Sequence, residues 1–277
     1  MRWRRLARNR LSFAALCVIL AVTLASLLAP WLAPYDPDAP DAEATLASVS
    51  LSHPLGTDVY GRDQLSRVIH AGRVDLLVAL SATAIALTLG SALGAAAGYR
   101  GGWGDQLVMR GVDAVMAFPA FILAMAITAA LGNSTANVVA AIAITHVPIY
   151  TRLIRGEMLR VRETEYAEAA RTVGNRPHQI VLYHLLPNCV PPLVVQATLA
   201  MGFAILTVAA LSFIGLGIQP PQSEWGQMTA EGAGYVVSGE WWLVLFPGFA
   251  IMLTVLAFNL VGDTLRDLLD PRMRGVR

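Results

Sequence analysis

Six times along this chain the sequence stays apolar for about the length that crosses a hydrocarbon core, roughly 20 residues per helix. The runs are Leu11–Leu32, Leu76–Ala97, Val112–Leu131, Ala136–Tyr150, Val190–Phe213 and Trp242–Val261. A backbone in lipid must satisfy its own hydrogen bonds, so runs of this kind fold as helices. Hydrophobic residues make up 56% of the chain and charged ones 14%, which would leave a soluble globule with too much exposed apolar surface. The expected fold is therefore an all-α integral membrane protein with six transmembrane helices. The fourth run is short and is expected to continue as helix through Arg152 and Arg155.

Arginine sets the orientation. The chain has no lysine, and its arginines cluster on alternate connections. Arg2, Arg4, Arg5, Arg8 and Arg10 precede the first run. Arg100 and Arg110 lie between the second and third. Arg152, Arg155, Arg160, Arg162, Arg171 and Arg176 follow the fourth, and Arg266, Arg272, Arg274 and Arg277 follow the last. The other side holds only Arg62, Arg67 and Arg73. This bias places both termini and the central connection in the cytoplasm. The near-zero net charge hides an asymmetry between two faces and implies no nucleic-acid partner. The first run is longer than the 7–15 residues of a signal-peptide core and is expected to be retained. Cys17 and Cys189 both fall in or beside apolar runs, so no disulfide framework is expected.

Several segments punctuate the runs. Residues 34–73 open with PYDPDAPD, whose prolines forbid regular helix, and continue through turn-rich HPLGTDVYGRD. Gly90, Gly94 and Gly98 recur at a four-residue spacing that lets helices approach closely, either within the chain or against a partner subunit. Pro119, Pro148 and Pro247 interrupt the third, fourth and sixth runs and favour kinks. Residues 215–240, with GLGIQPPQSEWG, are expected to form short helices on the outer face. Two units are expected: 1–75, with the N-terminal arm, first helix and extracytoplasmic segment, and 76–277, a core of five transmembrane helices.

Between the fourth and fifth runs lies the most distinctive stretch, EYAEAARTVGNRPHQIVLYHLLPN, from Glu165 to Asn188. Strong helix formers fill Glu163–Val173. Thr164 is placed to cap that helix, with acidic residues in its first turn. Ala167, Ala169 and Ala170 offer a slim surface able to sink into a groove. Gly174 suits the left-handed end of a helix, Pro177 suits the first turn of the next, and Pro187 is expected to break that second helix before the membrane. The result is a rigid knob rather than a flexible loop.

Glu168-Ala169-Ala170, Gly174 and Leu186-Pro187 together resemble the EAA signature of permease subunits of bacterial ABC importers. HPLGTDVYGRD, AFPAF, LSFIGLGIQPPQSEWG and FNLVGDTLRDLLDPR are similar, in the same order, to the dipeptide/oligopeptide/nickel branch. His184 departs from the aliphatic residue that the general signature favours. The resemblance implies a type I permease fold in the bacterial inner membrane, with Glu168, Ala169, Ala170, Gly174, Leu186 and Pro187 in a cytoplasmic coupling helix. It implies a homologous second permease subunit, two ATPase subunits that bind ATP and Mg, and an extracytoplasmic substrate-binding protein. Short peptides are the expected cargo, with nickel or a metal chelate as the alternative.

A P-loop needs a lysine, and this chain has none, so ATP hydrolysis must come from another polypeptide. No catalytic constellation and no metal-ligand cluster stands out. His146, Gln196 and Asn259 are candidate path residues, because polar groups within spans usually face a bundle interior; for His146 an interhelical hydrogen bond is the competing expectation. A self-sufficient secondary transporter is the rival class, and would need carboxylates within the spans, which hold essentially none except at their ends.

Overall fold

The computed structural model describes residues 10–269. The arginines at positions 2, 4, 5, 8, 272, 274 and 277, and Pro271, lie outside that range. Helix α1 is Arg10–Leu27, α2 Gln64–Arg100, α3 Gly102–Met116 and α4 Ala120–Leu131. Helix α5 is Thr135–Val161, and α6 is the short Glu165–Thr172. Helix α7 runs from Pro177 to Phe213, α8 is Trp225–Ala233 and α9 is Trp242–Leu269. Helices α1, α2, α5, α7 and α9 are each long and apolar enough to cross a membrane, and α3 with α4 makes a sixth, broken crossing.

That break corrects the expected continuous run Val112–Leu131. The axes of α3 and α4 differ by 86°. Pro119 sits between them in an extended conformation, with φ −56° and ψ 126°. Its ring disfavours helix at the preceding Phe118 and it has no N–H to donate. Helix α4 has 12 residues, about 18 Å at 1.5 Å each, too short to cross alone. Helix α3 is bound to α5 by charge: Arg155 donates from Nε and NH2 to Asp105 at 2.5 and 2.7 Å, and Arg152 pairs with Asp113.

Pro187 was expected to end a helix, and it does not. Helix α7 is continuous through it because a π-helical turn, Ile180–Leu185, shifts the hydrogen-bond register beforehand. Pro187 then falls in the first turn of the α-helical part, Leu186–Phe213, where a missing N–H is tolerated. Pro148 and Pro247 likewise lie inside intact helices.

The glycine ladder packs within the chain. A Cβ at Gly90 would lie 2.6 Å from Tyr150 Cβ, one at Gly98 2.8 Å from Met158 Cβ, and one at Gly94 nearer still to the carbonyl oxygen of Thr151. The contacts advance together along both chains, so α2 and α5 run parallel at close backbone approach. Helices α7 and α9 are antiparallel, with Gly202 opposite Phe258 and Leu199 opposite Gly262. Helix α1 lies against α9, its Ser12 hydroxyl 2.6 Å from that of Thr264. The described chain therefore begins and ends at one face of the bundle, the arginine-rich face that also carries α6. Residues 33–63 and α8 cover the opposite face. One core layer, around Val78, Ile142, Ile205 and Trp225, supports that opposite face; a second, around Tyr150, Ile154, Met158 and Leu185, supports α6.

Candidate coupling site

Helix α6 is held by its own core. Ala167 is 0% exposed and Ala170 7%. Both join the cluster of Ile154, Met158, Val161, Ile180 and Leu185. Of the three alanines expected to present a slim outer surface, only Ala169 is exposed; Ala167 and Ala170 anchor the helix instead. Three residues advance about 300° on a helix, so alanines three apart share one inward face.

The ends of α6 differ from expectation at one point. Thr164 occupies the N-cap position, but its hydroxyl donates to Val161 O at 2.6 Å and accepts nothing from α6. Glu165 and Glu168 stand in the first turn, where the helix dipole favours negative charge. At the other end Gly174 has φ +86°. Asn175 N donates to Ala170 O at 3.2 Å and Gly174 N to Arg171 O at 3.0 Å, which closes the helix end. Pro177 opens α7 as expected, and Gln179 Oε1 accepts from Arg176 N at 3.0 Å.

Arginines fasten the knob to the bundle. Arg162 donates to Gly98 O at 2.9 Å and Arg171 to Arg162 O at 3.1 Å. The outward-facing residues include Tyr166, Glu168, Ala169, Val173, Leu182 and Tyr183, with Glu165, Arg171, Arg176 and His178 also exposed. Val173 is 81% exposed and Tyr183 73%. Pro187 is exposed and Leu186 half-buried beside them. Exposed apolar side chains on a rigid mount, flanked by charged ones, make a mixed surface of the kind that protein contacts use.

The three path candidates stand on three helices and no hydrogen bond joins them. His146 in α5 shares Nδ1 with Ile142 O at 2.8 Å, a bond within its own helix, so the expected interhelical bond is not formed. Asn259 in α9 faces α7, where a Cβ at Gly202 would lie 3.7 Å from its Nδ2. Gln196 in α7 lines an open cleft of about 390 Å³ with Glu157, Arg160 and Arg266.

On the face opposite α6 the structure reveals a constellation not anticipated from sequence. Asp58, in HPLGTDVYGRD, accepts from Arg62 Nε at 2.6 Å, Arg67 NH1 at 2.9 Å, and the backbone N–H groups of Tyr60 and Arg62 at 2.8 and 2.9 Å. Glu231 of α8 approaches both guanidiniums at 3.5 Å. Burial holds the Glu231 carboxyl above the usual carboxylate range, and the Arg62 charge opposes that shift. Asp63 caps α2 through Ser66 N at 2.8 Å and holds His53 at 3.0 Å. Trp242 Nε1 donates to Thr57 O at 3.1 Å, tying the loop to the start of α9. Nearby Asp75 accepts from Trp225 N at 3.2 Å, and Glu224 caps α8 through Gly226 N and Gln227 N at 2.8 and 2.7 Å. Aspartates and glycines in the loop marked its turns, but Arg67 and Glu231 reach it from other elements, which no local pattern reveals.

A polytopic helical bundle with a short helix mounted on its arginine-rich face is an integral membrane architecture, and similarity to known proteins gives its class. The chain belongs to the family of binding-protein-dependent transport system inner membrane components, whose family model matches residues 90–275. Residues 1–52 match the N-terminal transmembrane domain of oligopeptide transport permease C. A probable D,D-dipeptide transport system permease protein of Escherichia coli (strain K12) is 45% identical over 96% of this chain and 89% of its own length. A di/tripeptide transport system permease protein of Pseudomonas aeruginosa (strain UCBPP-PA14) is 42% identical over 98% and 91%. A glutathione transport system permease protein of Escherichia coli O6:K15:H31 (strain 536 / UPEC) is 41% identical over 99% and 90%. The chain is thus a multi-pass membrane permease subunit of an ABC importer, a transport component whose ATPase is a separate chain.

Proposed function

We propose that this permease moves short peptides into the cytoplasm, driven by ATPase subunits that dock on α6 and the start of α7. The knob carries the coupling assignment: a short helix ended by Gly174, fixed from beneath by Ala167 and Ala170, with Tyr166, Glu168, Ala169 and Val173 outward. Gly174 aims the second half of the knob. Ala170 acts as the mount. Leu186 and Pro187 start the α-helical part of α7 that carries the movement into the membrane. In this assembly a homologous second permease completes the pathway, two ATPase subunits bind ATP and Mg, and an extracytoplasmic binding protein delivers the cargo. The arginine-rich face with both termini is cytoplasmic. Residues 1–75 form the peripheral unit and 76–277 the core. Peptide cargo is favoured over nickel by the peptide permeases among the relatives, and among the described residues no group of three or more His, Cys, Asp or Glu is placed to hold a metal.

Coupling is tested with Gly174→Val in the complete complex. Valine at φ +86° is strained, so the turn re-forms and the second half of the knob is re-aimed. Glu168→Lys reverses charge on the exposed face. Both variants should reach the membrane at wild-type level, with ATP hydrolysis stimulated by the loaded binding protein lowered about tenfold or more. Normal stimulation in both would refute the assignment. Cargo is tested by uptake of labelled di- and tripeptides against nickel ion; uptake of nickel alone would sink the peptide reading.

A further inference from the structure

The cleft that Gln196 lines opens at the arginine-rich ends of α5, α7 and α9, and its chemistry is two-signed. Glu157 and Arg160 come from α5, Asn188 and Gln196 from α7, and Arg266 from α9. Its floor is apolar, with Leu153, Val195 and Leu199. Among the described residues the guanidinium of Arg266 has no hydrogen-bond or ion-pair partner. Among the described residues Glu157 is held only by Arg160, at 3.0 and 2.7 Å, and that arginine side chain is 65% exposed. An exposed pair of this kind contributes little and opens readily.

Polar groups further along the helices share the cleft's faces. Seven residues advance a helix by about 700°, within about 20° of two full turns, so residues seven apart share a face. On α5 that register links His146, Leu153 and Arg160. On α9 it links Asn259 and Arg266. The helix faces that carry polar groups inside the membrane are therefore those that open into the cleft below.

We propose that this cleft is the exit site of the pathway, binding the zwitterion of a short peptide as it leaves. Arg266 takes the peptide carboxylate, Glu157 takes the ammonium after releasing Arg160, and Asn188 and Gln196 serve the amide backbone. Basic pockets between helices on the cytoplasmic side also suit anionic lipid headgroups. Here the carboxylate of Glu157 and the polar continuation to His146 and Asn259 favour a zwitterion over a lipid anion. The assignment rests on the peptide reading given above.

The test uses the complete complex in liposomes with its binding protein, reading dipeptide delivered per ATP hydrolysed. Arg266→Ala and Glu157→Gln should each lower that ratio about tenfold, the worth of one charge-assisted hydrogen bond. Arg266→Lys should restore at least half of it. Arg152→Ala, which breaks a pair on α3 outside the cleft, should leave it unchanged. Wild-type ratios in both cleft variants would overturn the exit site and leave the peptide assignment standing. A wild-type complex that moves no dipeptide would remove both. A loss in Arg266→Ala that vanishes in liposomes without anionic phospholipid would identify a lipid site and overturn the proposal.

Discussion

Asp58 is the residue on which the face opposite α6 depends. Its side chain accepts four hydrogen bonds, two from backbone and two from the buried guanidiniums of Arg62 and Arg67. Removing it leaves two buried cations with only Glu231 nearby, at 3.5 Å. Breaking a buried ion pair from one side costs about 3–5 kcal/mol. Asp58→Ala should therefore lower the Tm of the purified complex by several degrees. Glu231→Gln should cost much less, because contacts at 3.5 Å are poor hydrogen bonds. Burial also raises the Glu231 carboxyl in the folded state. A carboxylate raised on folding penalises the folded state as pH climbs from the unfolded value to the folded one, and the penalty is absent below both. Relative to Glu231→Gln, the wild type should therefore lose ground as pH rises through that window. Equal Tm values for Asp58→Ala and Glu231→Gln would contradict this ranking.

At the scale of elements, the α2–α5 pair depends on absent side chains. A Cβ at Gly94 meets backbone of α5 rather than the end of a flexible chain, so relief requires moving a helix. Overpacking of this kind costs typically about 1–3 kcal/mol. Gly94→Val should lower the stability of the complex by at least that, whereas Ala92→Val, on the exposed side of the same turn, should be nearly neutral. A differential melt of the two variants checks this, and equal melts would count against the close-packed ladder. Apolar run length located five crossings and placed a single continuous run where the sixth is broken, and the glycine spacing announced close approach. What the sequence left open was how each proline acts. Pro119 breaks a crossing because extended backbone precedes α4. Pro187 breaks nothing because a π-turn, whose Ile180 and Leu185 are buried in the core, places it in a first turn. Likewise Gly174 and Pro177 marked the knob's turn, while the inward role of Ala170 needed the neighbouring helices to be visible. The Asp58 constellation was illegible for a simpler reason: Glu231 lies 169 residues from Arg62.

For the whole molecule, the decisive quantity is which face meets the cytoplasm. Ser12 touching Thr264 brings the two ends of the described chain to the face that carries α6. The arginine bias then predicts that this face is cytoplasmic, because basic residues resist translocation. Glu43 on the loop opposite α6 and Arg176 at the knob are both exposed, so single-cysteine probes at either position are accessible from their own side. With Cys17 and Cys189 replaced, a membrane-impermeant maleimide applied from outside should label Glu43→Cys in intact spheroplasts and leave Arg176→Cys unmodified. Permeabilised membranes should then label both, which shows that the second probe is reactive and merely shielded. Labelling of Arg176→Cys in intact cells, with Glu43→Cys protected, would invert the protein, and would place both the ATPase-docking knob and the proposed exit cleft on the wrong side of the membrane.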